Sequence, residues 1–250
     1  MRHPHGVRRL VLKAKLTASS SRQRIHAAIA AWRPILTLED VQRRLELFIA
    51  ALYGAPIPIV PNTQNPSTWL DRASRAMNAS DAAVAATPAT DGASIRLPRE
   101  MRADEGAGVA LARYRLFAVE QAERILRGTA ALASSTDPIV RDLYLVREAS
   151  AIDARIARDQ PGLRALLERE RAAALAARPN QRSLTKRERA VESIVRESLS
   201  SDAASARAGE PHDSLDWARE AAEQVRSLPG GYRGIRPTQV WGTVAESLGK

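Results

Sequence analysis

The chain has 250 residues, 44% hydrophobic and 26% charged, with no cysteine and a net charge of +10. This is ordinary globular composition with room for a sizeable core. The lack of cysteine excludes disulfides, thiolate zinc sites, iron–sulfur clusters and a cysteine nucleophile, and it fits a reducing cytoplasm. No stretch approaches the apolar length of a membrane-spanning helix, so no span is expected.

The positive charge is unevenly spread. Residues 1–38 hold eight basic side chains and no acid, whereas the remaining 212 hold 30 basic and 28 acidic ones. Residues 1–21 therefore read as a flexible basic arm, with Arg8, Arg9, Lys13 and Lys15 as its candidate anion contacts. A protein that binds nucleic acid through this arm is the alternative reading from another functional class. Aromatics make up only 4% of the chain, which leaves few platforms on which bases could stack. Nucleic acid is accordingly not the expected partner.

The fold class expected is all-α, mainly a multi-helix bundle-like domain over 22–230, with at most one or two short strands near 57–60 and 93–97. Ile25, Ala28, Ile29 and Trp32 recur at helical spacing up to Pro34. Thr37 and Asp40 suit an N-terminal cap for a helix with the stripe Val41, Leu45, Phe48, Ile49 and Leu52, ended by Gly54. Four prolines in "APIPIVPNTQNP" force extended chain. A short helix is expected around Trp69 to Met77. Asp91-Gly92 marks a turn before "ASIRLP", where apolar and polar residues alternate as in a strand. Such a strand needs a partner, and 57–60 is available.

Helical periodicity dominates beyond it. Residues 105–133 form one pattern that bends or ends at Gly128-Thr129. Asp137 caps the next helix with Pro138 at its first position, and Pro161-Gly162 breaks it. "LRALLERERAAALAARP" is closed by Pro179. Thr185 to Glu188 is a capping box for the helix with Val191, Ile194, Val195 and Leu199. Residues 201–212 read as a polar linker, and Ser214 as the start of a last helix with Leu215, Ala218, Ala222 and Val225 on one stripe. Residues 231–250, rich in Gly and Pro, read as a connector. Its aromatic residues Tyr232 and Trp241 are expected to anchor it on the helical body, with the chain free from about Glu246.

Searches for chemistry mostly fail. The four histidines form no metal-binding pair on a helix, and there is no HExxH, GxSxG, GxGxxG after a strand, or P-loop spacing. No metal, catalytic or cofactor-binding residue is assigned. Asp153 stands out because it shares a helix face with Leu145, Ala149, Ile152 and Ile156. A lone buried carboxylate is costly, so a partner such as an Arg or a helix terminus is expected. The reading is a structural buried carboxylate rather than a general acid or metal ligand. Glu120 and Glu123 are read the same way, as ordinary acids on a helix surface. The arginines of "LRALLERERAAALAARP" read as a solvated face, with Arg164 paired to Glu168 and Glu170 unpaired.

Several stretches taken in order resemble the N-terminal helical region of the NorD/CbbO family. They are "ATDGASIRLP", "ALARYRLFAVEQAERILRGTAAL", "VRDLYLVREASAIDARIARDQPGLRALLERERAAALAARP" and "SLDWAREAAEQVRSLPGGYRGIRPTQVWGTV". The resemblance covers roughly residues 39–244, and the first and third stretches look closer to NorD. It implies a non-enzymatic accessory or adaptor protein that works with a MoxR-type AAA+ ATPase, NorQ or CbbQ. It further implies activation of a target enzyme, nitric oxide reductase, or the remodelling of Rubisco by a CbbO-like adaptor. Family members carry a von Willebrand factor A domain whose metal site begins D-x-S-x-S, oxygen chemistry suited to a hard cation. No Asp in this chain is followed two residues later by Ser. The expectation is therefore a truncated member, with its connector halted before an A domain.

Overall fold

The computed structural model describes residues 34–62, 87–203 and 209–244. The basic arm, the helix expected over 22–33 and the one around Trp69 to Met77 lie outside them. The protein is mainly helical. The described residues form seven α-helices, α1 (Leu38–Tyr53), α2 (Ala107–Leu126), α3 (Thr129–Leu132), α4 (Pro138–Asp159), α5 (Pro161–Ala176), α6 (Lys186–Ser200) and α7 (Pro211–Arg226). Six short strands accompany them, β1 (Ile35–Thr37), β2 (Ile59–Pro61), β3 (Ala89–Thr90), β4 (Ile95–Leu97), β5 (Glu100–Arg102) and β6 (Thr243–Val244).

Helix ends follow the sequence signals. Thr37 and Asp40 close a reciprocal capping box on α1, and Gly54 stops that helix at φ 71°, where a side chain would be strained. Leu45 and Ile49 of its stripe are fully buried, each contributing on the order of 1.5–3 kcal/mol. Asp137 caps α4 ahead of Pro138, and Thr185 with Glu188 caps α6. One boundary differs from expectation. α7 starts at Pro211, three residues before Ser214, because Glu210 and Asp213 form a capping box and Pro211 takes the first helical position.

α2 and α4 are the central helices. Every residue from Leu116 to Arg124 and from Glu148 to Ala154 is buried. A helix enclosed on all sides has no wet face for its polar residues, so those of α2 and α4 need partners inside the protein. α1, α5 and α6 pack with this pair into one apolar core, and the N-terminal half of α4 packs with α6 and α7 into a second.

Both expected strand regions are present, and they pair with each other: β2 runs parallel to β4, with Ile59 opposite Ile95. The sheet is larger than one pair. Its order is β2-β4-β3-β6, and β6 adds parallel to β3, with Ala89 opposite Thr243. β1 and β5 form a separate antiparallel ribbon. Asp91 opens the turn between β3 and β4. Its Oδ1 accepts the amides of Ala93 and Ser94 at 3.0 and 2.7 Å, and its Oδ2 accepts from Arg96 at 2.7 Å.

Candidate functional site

Residues 231–244 lie across the helical body as a strap, held at successive points by side chains of α2, α4 and the segment after α5. The Tyr232 hydroxyl donates to Asp142 Oδ2 at 2.5 Å, and the amide of Ile235 donates to the same oxygen at 3.1 Å. Burial raises the Asp142 carboxyl above its ordinary range, while these two donors pull it back. Arg178 donates to the carbonyl of Arg236 at 2.8 Å and to Thr238 Oγ1 at 3.1 Å. Glu192 of α6 holds Arg178 through a two-pronged pair at 3.0 and 2.5 Å. Gln121 of α2 donates to the carbonyl of Trp241 at 3.1 Å. The amide of Thr243 then donates to the carbonyl of Pro88 at 2.9 Å and leads into β6.

Gly242 explains why the strap can pass so close. Its φ is 70°, and a Cβ there would meet the Pro88 carbonyl oxygen at 2.5 Å and Gln121 Nε2 at 2.6 Å. Only glycine fits both the backbone conformation and the space.

Trp241 carries the strap into the apolar core. It is buried, and its indole Nε1 donates to Asp153 Oδ2 at 2.9 Å. Asp153 is fully buried in α4, and the same oxygen accepts from Arg171 of α5. Arg171 also donates to the carbonyls of Ser198 and Ser201 at the end of α6, where helix carbonyls lack intrahelical donors and favour a cation. One arginine thus joins α4, α5 and α6, and the tryptophan ties the strap to that joint. Burial raises the Asp153 carboxyl above its ordinary range, against the pull of Arg171 and the Trp241 donor.

Glu120 and Glu123 are not surface acids: they are 1% and 5% exposed. They belong to the enclosed section of α2, which single-helix periodicity could not reveal. Glu120 accepts from Arg124 at 3.3 Å. Burial drives its carboxyl well above the ordinary range, Arg124 opposes this, and the nearby Asp153 and Glu123 add to it. Glu123 accepts from the Tyr53 hydroxyl at 2.9 Å and pairs with Arg155 at 3.1 Å. Burial, then Glu123, pushes the Tyr53 phenol up.

The solvated face expected for the α5 arginines also needs correction. Arg164 does pair with Glu168 at 2.9 Å on the surface. Arg171 is buried, and Glu170 reaches Arg113 of α2 at 2.7 Å rather than standing unpaired. The signal for Arg171 was its place four residues after Leu167, on the stripe that faces α4. Asp142, Arg178 and Glu192 were not singled out from sequence, and their roles depend on a strap path that spacing alone does not give.

Between the strap and the α3–α4 region lies a cavity of about 610 Å³. Arg124, Arg141, Asp142, Leu145, Val146 and Trp241 contribute to its wall, together with strap residues from Ile235 to Val244. Asp153, Glu120 and Glu123 do not line it. Among the described residues no group of three or more His, Asp or Glu could hold a metal ion, and no helix is long and apolar enough to cross a membrane. The anion-contact candidates Arg8, Arg9, Lys13 and Lys15 lie outside the described residues. In comparisons with known proteins, no family model, no curated protein and no solved structure matches this chain.

Proposed function

We propose that this chain is a non-enzymatic cytoplasmic accessory protein of the NorD/CbbO kind. It acts beside a MoxR-type AAA+ ATPase in activating or remodelling a target enzyme, nitric oxide reductase or Rubisco. The ordered sequence resemblance over residues 39–244 raises the idea. The observation that carries it is the use made of the buried carboxylates. Asp153 and Glu120 bind Arg171 and Arg124 inside the body, Glu123 binds the exposed Arg155, and the three acids do not line the cavity. They fix helices and the strap in one arrangement, which suits a body that transmits force or position between partners.

Co-purification with a MoxR-type ATPase from the same organism, with and without ATP, tests this reading. A stable or nucleotide-dependent complex is the expected result. No association in either condition, with both proteins folded, overturns it.

A further inference from the structure

The start of the strap and the connection from α5 to α6 form one joined surface. Thr185 Oγ1 donates to the carbonyl of Gly231 at 2.7 Å. Arg187 donates to the carbonyls of Leu228 and Arg226, both at 2.7 Å. Arg233 reaches back to Glu188 at 3.0 Å, and Arg178 holds the carbonyl of Arg236.

The charge on this surface is one-sided. Residues 178–193 and 226–239 together contain eight Lys and Arg and two acids. Both acids, Glu188 and Glu192, are buried and paired, the first with Arg233 and the second with Arg178 and Arg196. The acids that reach the junction from other elements are engaged as well. Asp137 and Glu223 bind Arg226, and Asp142 accepts from the Tyr232 hydroxyl and the Ile235 amide. Arg182, Lys186, Arg189, Arg233 and Arg236 are all exposed. Of these, Arg182, Lys186 and Arg236 make no side-chain hydrogen bond or ion pair among the described residues.

This placement is unfavourable for the protein alone. Lys186 and Arg187 open α6, and Arg189 completes its first turn. Unsatisfied N–H groups there carry partial positive charge and favour acids. Opposite charge from a partner relieves both this conflict and the mutual repulsion of the cations. Tyr232 is the sole aromatic residue in the two stretches. Its ring is half-buried and its hydroxyl is committed to Asp142, so it offers no platform for a stacked base. Half-buried Leu228 and exposed Pro229 add apolar surface that a protein segment uses and a phosphate backbone does not.

We propose that this junction docks an acidic segment of a partner protein. Its carboxylates are held by Arg182, Lys186, Arg189, Arg233 and Arg236, and its apolar side chains lie against Leu228 and Pro229. Arginine suits the task, because its planar fork meets a carboxylate with two parallel hydrogen bonds. This inference stands apart from the adaptor reading: the face binds an acidic segment whatever the partner's activity, so either one can fail without the other.

The test uses the full chain and a fluorescein-labelled peptide of four Glu-Glu-Leu repeats, read by anisotropy. The expected result is saturable binding at physiological ionic strength that weakens as salt rises. Arg182→Ser, Lys186→Ser and Arg236→Ser together weaken it about tenfold or more, the combined loss of three exposed ion pairs. These side chains hold nothing in place, so the triple variant keeps its fold, and its denaturant midpoint checks that. Arg8→Ser, Arg9→Ser, Lys13→Ser and Lys15→Ser together change only the basic arm and leave the affinity near wild type. A DNA duplex or a single-stranded RNA, added at equal charge, does not displace the peptide. No saturable binding, wild-type affinity in the folded triple variant, an equal loss in the arm variant, or displacement by either nucleic acid overturns the proposal.

Discussion

Trp241 and Asp153 stand 88 residues apart in the chain and meet in one buried hydrogen bond of 2.9 Å, on an oxygen that also serves Arg171. The contact makes the strap part of the core's charge balance. Asp153→Ala leaves Arg171 buried without its counterion, which costs about 3–5 kcal/mol. The double variant Asp153→Ala with Arg171→Met removes both charges and recovers most of that loss. Urea unfolding of the two single variants and the double measures the difference. Full additivity would show that the pair does not act as a unit.

Gly242→Ala tests the strap's close approach. An added methyl meets the Pro88 carbonyl oxygen at 2.5 Å and sits on a backbone with φ 70°. The expected destabilisation is about 1–3 kcal/mol, typical of overpacking, with more for the unfavourable φ. Hydrogen exchange localises it: the Thr243 amide, bonded to Pro88, loses protection before the amides of α2 and α4 do.

Tyr232→Phe removes the hydroxyl that donates to Asp142 at 2.5 Å and leaves the ring. Hydrogen bonds to charged groups contribute about 1.5–3 kcal/mol when buried. The half-buried site places the expected loss toward the lower figure. The Asp142 carboxyl, already raised by burial, rises further without this donor, and NMR titration of that carboxyl reads the change.

Stability should depend on pH in a direction set by Glu120. Its folded carboxyl lies well above the ordinary value, first through burial and then through Asp153 and Glu123, with Arg124 opposing. A carboxyl raised by folding binds a proton more readily in the native state. Its contribution is complete below the unfolded pKa and is lost as pH rises through the folded one. Glu120→Gln flattens that alkaline-side decline, at most about 1.4 kcal/mol per pH unit for one proton. Glu188 works the other way: Arg233 holds it below its ordinary value, so its contribution fades as pH falls through the folded pKa. Denaturant midpoints across pH for both proteins check the sign.

Much of the helical scaffold was legible because its signals are local. Thr37 with Asp40, Asp137 with Pro138, and Thr185 with Glu188 each fix a helix start within four residues. The buried stripe Val41, Leu45, Ile49 follows from spacing alone. What could not be read is what depends on three helices at once. Glu123 falls on the apolar stripe of α2, seven residues after Leu116 and four after Val119, but a single helix does not show that the section from Leu116 to Arg124 is covered on every side, which makes both Glu120 and Glu123 interior. Asp153 stands out by its apolar neighbours and Arg171 by its place four residues after Leu167, yet spacing on two separate helices does not pair them. The extra strands escaped notice because two-residue and three-residue pairings leave no periodicity to detect.

The parallel pairing of β6 with β3 also constrains how the molecule is assembled. The segment between those strands spans more than half of the chain and contains α2 to α7. Closing so long a loop is entropically unfavourable until the helices inside it have packed. The sheet edge beside β3 and the outer side of Asp153 therefore stay uncovered during synthesis until residues 238–244 have been made. Over that interval the nascent body carries an open strand edge and a buried acid without its indole donor. A chaperone or protease that samples the chain at that stage meets a different surface from the one the finished protein presents.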